Sequence, residues 1–367
     1  MTTLYIHIPF CYKKCFYCSF VVFVGGTRKV NFYLQCLQKE AHCQKKKRIQ
    51  SIYIGGGTPS FLKEDELEKL FQIIQKSFIF DSDIECTLEA NPEMLNVSKL
   101  KLFKKHGVNR LSLGIQSLND QFLAVLGRNH NRNMALKVFN DIRKVGFENV
   151  NVDLMYGFPG QSSAELKKDV RGIARLGSEH VSLYALTIEK NSRFYTKKIS
   201  LPDPEIQSQQ YGIVCDLLGN NGFKQYEISN FAKPGFESFH NLNYWRGGNY
   251  IGLGVGAHSH HNGRRSWNVS RLSEYFSRIQ SNRSPREGQE RLTKSQRYIE
   301  TLLFGLRINE GVDMSKLQKE FKWSLDPKRK KIIQSFVENG FLVSEKNRLQ
   351  TTVKGRIVLD ELCSRII

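Results

Sequence analysis

No apolar run in this 367-residue sequence comes near the ~18 residues a helix needs to cross a bilayer, so no membrane-spanning helix is expected. Met1 to Phe10 carries neither Lys nor Arg. The basic start and apolar stretch of a secretory signal are therefore missing, and a cytoplasmic protein is expected. Negative charge is scarce: 35 Asp plus Glu face 55 Lys plus Arg, leaving a net charge of +20 that asks for an anionic partner. The densest runs, Lys45 to Arg48 and Lys328 to Lys331, also read simply as solvated faces. Of the eight cysteines, Cys36, Cys43, Cys86, Cys215 and Cys363 are scattered, which excludes a disulfide scaffold and points to ordinary thiols in a reduced protein. At 40% hydrophobic residues the chain has enough apolar side chains for a large core.

The other three cysteines are a different matter. Cys11, Cys15 and Cys18 form a C-x3-C-x2-C triplet directly after the apolar run Leu4 to Ile8. Three thiolates hold an iron–sulfur cube with one iron left open to an exchangeable ligand, whereas a fourth would close it. Structural zinc normally takes four ligands. The nearest further candidates, Cys36, His42 and Cys43, lie in a helical-looking stretch without a paired C-x2-C, so a cluster is favoured over zinc or inert thiols.

Short β-rich runs alternate with amphipathic stretches. Strands are predicted at Leu4 to Ile8, Ile52 to Ile54, Ile84 to Glu89, Arg110 to Gly114, Asn149 to Met155 and His180 to Leu186, with helices such as Asp65 to Ser77 and Met134 to Val145 between them. Six β/α units imply an α/β fold with a parallel, partly closed (β/α)6 barrel, whose chemistry gathers at the carboxyl ends of the strands. Further on, Gln280 to Thr293 reads as a linker. Helices at Gln296 to Arg307 and Asp326 to Asn339, followed by a hairpin around Glu345 to Asn347, give a winged-helix-like order. The expected division is 1–230 barrel, 231–292 connecting segment and 293–367 C-terminal domain.

Several blocks fall near those strand ends. Tyr5-Ile-His-Ile-Pro-Phe-Cys11, Cys15-Phe-Tyr-Cys18 and Gly55-Gly-Gly-Thr-Pro59 are followed in order by Glu89-Ala-Asn-Pro-Glu93, Ser112-Leu-Gly-Ile-Gln116, Gly127-Arg128 and Asp153-Leu-Met-Tyr-Gly-Phe-Pro-Gly160. Together they resemble the radical S-adenosylmethionine (SAM) enzymes of the branch that contains oxygen-independent coproporphyrinogen oxidase. The resemblance implies a [4Fe-4S] cluster on Cys11, Cys15 and Cys18. It further implies SAM contacts from Tyr5, Tyr17, Glu89, Gln116, Arg128 and Asp153. Gly56 and Gly57 would let the backbone approach the methionine moiety, with the Thr58 hydroxyl beside it. A second glycine motif, Gly252-Leu-Gly-Val-Gly-Ala257, fits G-x-G-x-x-A on paper, but the following His258-Ser-His-His-Asn-Gly263 has the composition of a loop. Without a helix N-terminus there to hold a pyrophosphate, dinucleotide binding is not expected.

Two departures separate the chain from the oxidase. Ser19-Phe20 stands where the oxidase has a further cysteine two residues after the triplet, and only four residues precede Tyr5 where the oxidase carries a longer segment. Both features match the sister family of heme chaperones, HemW, whose H-N-x-x-Y-W signature appears as His240-Asn-Leu-Asn-Tyr-Trp245. That likeness implies a radical-SAM-type protein that binds heme and passes it to an acceptor protein, membrane-associated ones included, without coproporphyrinogen oxidase activity. His240 is the expected heme ligand and the Tyr–Trp pair a cover for the porphyrin face, with His258, His260 and His261 as alternative ligands. Two readings stand beside it: an oxidase-like enzyme acting on porphyrinogens, and a nucleic-acid modifier, raised by the basic charge and the winged-helix-like tail. A stable nucleic-acid partner is not expected. The positive charge would serve as well for anionic lipid or for a tetrapyrrole bearing propionates.

Overall fold

The computed structural model describes residues 1–44 and 46–367, so Lys45 of the first basic run lies outside the described residues. Six parallel strands form the centre of the molecule: β1 (Thr2–Ile8), β2 (Ser51–Gly56), β3 (Glu85–Ala90), β4 (Arg110–Gln116), β5 (Asn149–Tyr156) and β6 (His180–Ala185). They lie side by side in chain order, each paired in parallel with the next. Helices pack outside them, among them Thr27–His42, Glu64–Ser77 and Arg132–Lys144, each turning one apolar face inward. The partial β/α barrel read from the sequence is thus present.

The sheet continues past both ends of this set, through β7 (Lys224–Gln225), β8 (Asn230–Ala232), β9 (Asn249–Leu253), β10 (His258–His261), β11 (Arg264–Asn268) and β12 (Arg286–Arg291). The order across the sheet is β12-β11-β10-β9-β1-β2-β3-β4-β5-β6-β8-β7. Strand β9 is a seventh parallel strand on the free side of β1, and from it the chain runs on as an antiparallel meander.

The segment 231–292 therefore contributes strands to the sheet and puts Ile251, Leu253, Val269 and Tyr275 into the main core. Its second glycine motif ends in a hairpin, not a helix, with Asn262 and Gly263 both at positive φ in a two-residue turn. Within the stretch read as a linker, Arg-Glu-Gly-Gln-Glu-Arg is the strand β12. It occupies the sheet's outer edge, where a charged strand needs no apolar face and discourages pairing with other chains.

The tail has its own apolar core, built from residues such as Tyr298, Leu302, Leu317, Phe336, Leu349 and Leu362. Helices Lys294–Gly305, Met314–Phe321 and Pro327–Glu338 precede the strands Leu342–Glu345 and Arg348–Thr351, and Val312–Asp313 completes a three-stranded sheet. No helix among the described residues is long and apolar enough to cross a membrane.

One buried carboxylate fixes the meander to the barrel. Glu40, in helix Thr27–His42, accepts hydrogen bonds from the Gly254 amide (2.8 Å), the Asn268 side chain (2.6 Å) and the Tyr275 hydroxyl (2.7 Å). Replacing it by Ala would strand three donors where water has little access, at a cost of about 3 kcal/mol. Glu40→Gln keeps an accepting oxygen and should lose clearly less. Urea unfolding of the two variants checks this, and a loss under about 1 kcal/mol for the Ala variant would show that the three contacts carry little.

Candidate functional site

The loop after β1 is held at several points. Phe10–Cys11 pairs in parallel with Phe23–Val24, the Cys18 amide closes a tight turn on the Cys15 carbonyl (3.2 Å), and the Phe16 amide donates to the Leu126 carbonyl (3.0 Å). Phe16 and Tyr17 pack onto a small apolar cluster of Phe122, Leu126, Met155, Phe158, Leu186 and Phe194 at the barrel rim, and the Arg193 guanidinium lies over the Phe16 ring. The loop is anchored, and its thiols face a cavity of about 440 Å³ at the carboxyl ends of the strands.

Eleven of the twelve residues expected at the cluster and SAM site line this cavity: Cys11, Cys15, Cys18, Tyr17, Gly56, Gly57, Thr58, Glu89, Gln116, Arg128 and Asp153. Arg128 ties four of the sequence blocks together. Its guanidinium donates to the Gly114 carbonyl (2.7 Å), to Asn91 Oδ1 (2.8 Å) and to Cys15 Sγ (3.5 Å). Burial opposes its charge, but Tyr17, Cys15 and Glu93 more than offset that, and its pKa rises above the ordinary arginine value. Asn91, which the sequence reading passed over within its own block, also donates to Thr58 Oγ1 (3.1 Å). Its place before Pro92 at the end of β3 was the available signal.

The two carboxylates are set differently. Glu89 accepts from the Tyr53 hydroxyl (2.8 Å) and the Gly56 amide (3.0 Å), and burial, reinforced by Asp153, pushes it up to about 7. Burial likewise lifts Asp153 to about 6, opposed by hydrogen bonds from Asn151 and Ser112 and by the Arg110 and Arg128 charges. Gln116 sits at φ 68, where the pairing of β4 with β5 slips, and this left-handed backbone turns its side chain into the cavity.

Cys11 Sγ lies 3.4 Å from Thr58 Oγ1. Burial pushes its thiol up to about 11, so it is neutral in the free protein. A Cβ at Gly57 would stand 3.0 Å from that sulfur and 2.8 Å from the Phe10 carbonyl, so only glycine leaves the space open. Among the described residues no three His, Cys, Asp or Glu side chains already converge on one metal position. The three thiols share the cavity without closing on a point.

Tyr5, the twelfth, and His240, the expected heme ligand, lie elsewhere. Both line a second cleft of about 340 Å³, with His7, Tyr53, Tyr244, Tyr250 and His258. Tyr5 is three residues short of the end of β1, which puts it ~10 Å below the rim where the other sequence blocks gather. His240 is itself buried. Its Nδ1 meets Ser51 Oγ (2.8 Å), its Nε2 meets the Tyr244 hydroxyl (3.1 Å), and burial, followed by the Arg110 charge, lowers its pKa to about 3.

The helix bearing it, Phe239–Trp245, is capped by Ser238 and by Glu85, whose carboxylate accepts from the Phe239 and His240 amides (both 2.9 Å). Adjacent residues on a helix point ~100° apart, so the Tyr–Trp pair cannot cover one face together. Tyr244 lines the cleft, whereas Trp245 packs on Phe304 and under the Arg307 guanidinium of the tail. The clefts meet at Phe20, which lines both and is 65% exposed.

Comparison with known proteins agrees with this arrangement. Residues 5–173 match the radical SAM superfamily and residues 292–358 the HemN C-terminal domain. The heme chaperone HemW of Bacillus subtilis is 35% identical over 99% of this chain and 98% of its own length; that of Lactococcus lactis is 34% identical over 96% and 93%. The mitochondrial radical S-adenosyl methionine domain-containing protein 1 of Danio rerio is 33% identical over 100% of this chain and 86% of its own. Among solved structures, coproporphyrinogen III oxidase (HemN) of Escherichia coli superposes with a TM-score of 0.90, covering 100% of this chain and 89% of that one, at 22% identity. That likeness concerns the fold; identity over nearly the whole length places this chain in the HemW family of radical SAM proteins.

Proposed function

We propose that this protein binds heme and passes it to an acceptor protein, with a [4Fe-4S] cluster and SAM in the rim cavity controlling the transfer. The observation that best supports this reading is the junction at Phe20, where a cleft of histidines and tyrosines adjoins the cavity of the three thiols. Near-complete alignment with proteins named heme chaperone adds to it.

The rim cavity fits the cluster and SAM on its own chemistry. Three thiols face it, the Arg128 cation lies against Cys15, and Arg128 Nε is a buried donor with no partner among the described residues. Cys11, Cys15 and Cys18 would hold the cluster, which when bound supplies a low-potential electron and one open iron for the amino and carboxylate groups of SAM. Glu89 and Asp153 would accept from the amine or the ribose hydroxyls, Arg128 and Gln116 would donate to SAM oxygens, and Tyr17 would flank it. Gly56 and Gly57 leave room for the methionine moiety beside Thr58. Residues 1–230, 231–292 and 293–367 are proposed as the barrel, the heme-motif segment and the docking domain, all working in the cytosol.

The oxidase-like fold is the observation behind the second reading, in which the protein decarboxylates a porphyrinogen. Anaerobic turnover with SAM and a low-potential reductant separates the two. The chaperone reading expects no carbon dioxide from coproporphyrinogen, together with a Soret band when heme is titrated into purified protein; release at about 1 per second or faster would establish the enzyme instead.

Cluster assembly gives a sharper expectation. Anaerobically reconstituted protein should hold about four irons and four sulfides. Cys15→Ala should lose the cluster and Cys36→Ala should keep it, as iron and sulfide analysis will show; the reverse pattern rules out the triplet.

SAM binding should depend on pH. Glu89 must give up its proton to accept from the ligand, and its pKa in the free protein is raised to about 7. Affinity should therefore increase as pH rises through about 7 and level off above it, by roughly tenfold per pH unit at most for one proton. Calorimetric titration of wild type and Glu89→Gln tests this, since the variant should bind weakly with a flatter profile.

A further inference from the structure

We propose that His258, on β10, is the side chain that bonds the heme iron in the second cleft, and that His240 positions the cleft wall without ligating. This deepens the heme-binding reading above and rests on it.

Three histidines line the cleft, and an iron ligand needs a ring nitrogen with its lone pair free. His7 has none to offer. Its Nε2 lies 3.0 Å from the Val21 carbonyl, which can only accept, so Nε2 carries the proton and Nδ1 accepts from the Tyr5 hydroxyl at 3.0 Å. His240 is 1% exposed, and hydroxyls of Ser51 and Tyr244 occupy both its nitrogens. To reach iron, its ring would have to shed Tyr244 and come out from under the wall.

His258 is the opposite case. It is exposed, and neither ring nitrogen has a hydrogen-bond partner among the described residues. Partial desolvation against the hairpin and the nearby Arg265 lower its pKa from the ordinary histidine value, which favours the neutral ring that can ligate. Its strand partner is Trp267, whose ring lies nearly parallel to it with centroids 6.1 Å apart, limiting how the imidazole can turn. The next histidine on the same face, His260, has Nδ1 on the Gly248 carbonyl (3.0 Å) and Nε2 accepting from the Gly263 amide (3.1 Å), so it is engaged as well.

The rest of the cleft suits a flat aromatic guest. Tyr244 stands edge-on to Tyr250 at 4.6 Å and to His240 at 5.0 Å, and Tyr53 lies 5.1 Å from His240. With His240 bonded into this wall, Tyr244 is held with its ring toward the guest. The signature histidine then acts through Tyr244, and the iron bond comes from the hairpin opposite.

The test is a heme titration of the reconstituted full-length protein and of His258→Ala and His240→Ala, read by Soret absorption and by electron paramagnetic resonance of the ferric heme. Iron and sulfide content confirms that each variant keeps its cluster. His258→Ala should weaken heme binding at least about tenfold, the lower bound for losing even an outer-shell partner of a metal site. It should also change the axial signature, which added imidazole restores. His240→Ala should keep the wild-type axial signature whatever it does to affinity.

If wild type binds heme and His258→Ala binds it with the same affinity and spectrum, the assignment is overturned while the heme-binding reading stands. A weakened His258→Ala that imidazole does not restore also overturns it, since the loss would then be structural. If wild type itself takes up no heme, the reading fails and this assignment with it.

Discussion

A cation held at the mouth of the barrel, the Arg128 guanidinium, is the contact on which the rim is organised. It is bonded at once to the end of β4 through Gly114, to the end of β3 through Asn91, and to the cysteine loop through Cys15. Three segments far apart in sequence are thereby set at fixed distances around one cavity. A guanidinium in such a place needs negative charge, and Glu93 supplies part of it. Thiolates of a bound cluster would supply more.

The second cleft is a consequence of how the barrel is left open. On the free side of β1 the sheet continues through β9 into a hairpin, and Tyr250 and His258 from that side line the cleft together with Tyr5 of β1, Tyr53 of β2 and Tyr244 of helix Phe239–Trp245. Glu40 holds that hairpin in place from behind, through Gly254 and Asn268. Phe20 then stands at the boundary between the thiols and the aromatic wall. Where the oxidase resembled by the sequence has a thiol, this chain has an exposed ring, and the exchange turns a polar position into an apolar partition facing both clefts.

Much of this was legible in the residues, for physical reasons that differ by region. Parallel strands buried on both faces read as short apolar runs, and all six appear with ends shifted by no more than two residues. The tail hairpin was legible too, because Lys346 and Asn347 separate two β-like runs, and both adopt the left-handed backbone such a turn requires. Strands β10 to β12 were not. They are rich in His, Arg and Glu and lie partly exposed at a sheet edge, where no alternation of apolar residues is needed, and Asn262-Gly263, a hairpin turn by composition, was taken with the loop around it.

The cysteines and carboxylates fell into place because ligand chemistry restricts which residue types can serve. Tyr5 fell outside the rim because a motif carries no depth: only the fold puts Tyr5 below the strand end, and only the fold shows His240, the expected heme ligand, bonded behind Tyr244. The account turns on the two clefts being adjacent sites of one device. Its most direct test is anaerobic addition of ferric heme to protein whose cluster has been reduced and then freed of excess reductant. Loss of the cluster's paramagnetic signal with matching formation of ferrous heme, at one heme per chain, is predicted, since a low-potential cluster on one side of Phe20 would pass one electron to the iron on the other. A cluster signal that stays unchanged while the heme is demonstrably bound and stays ferric would contradict the account.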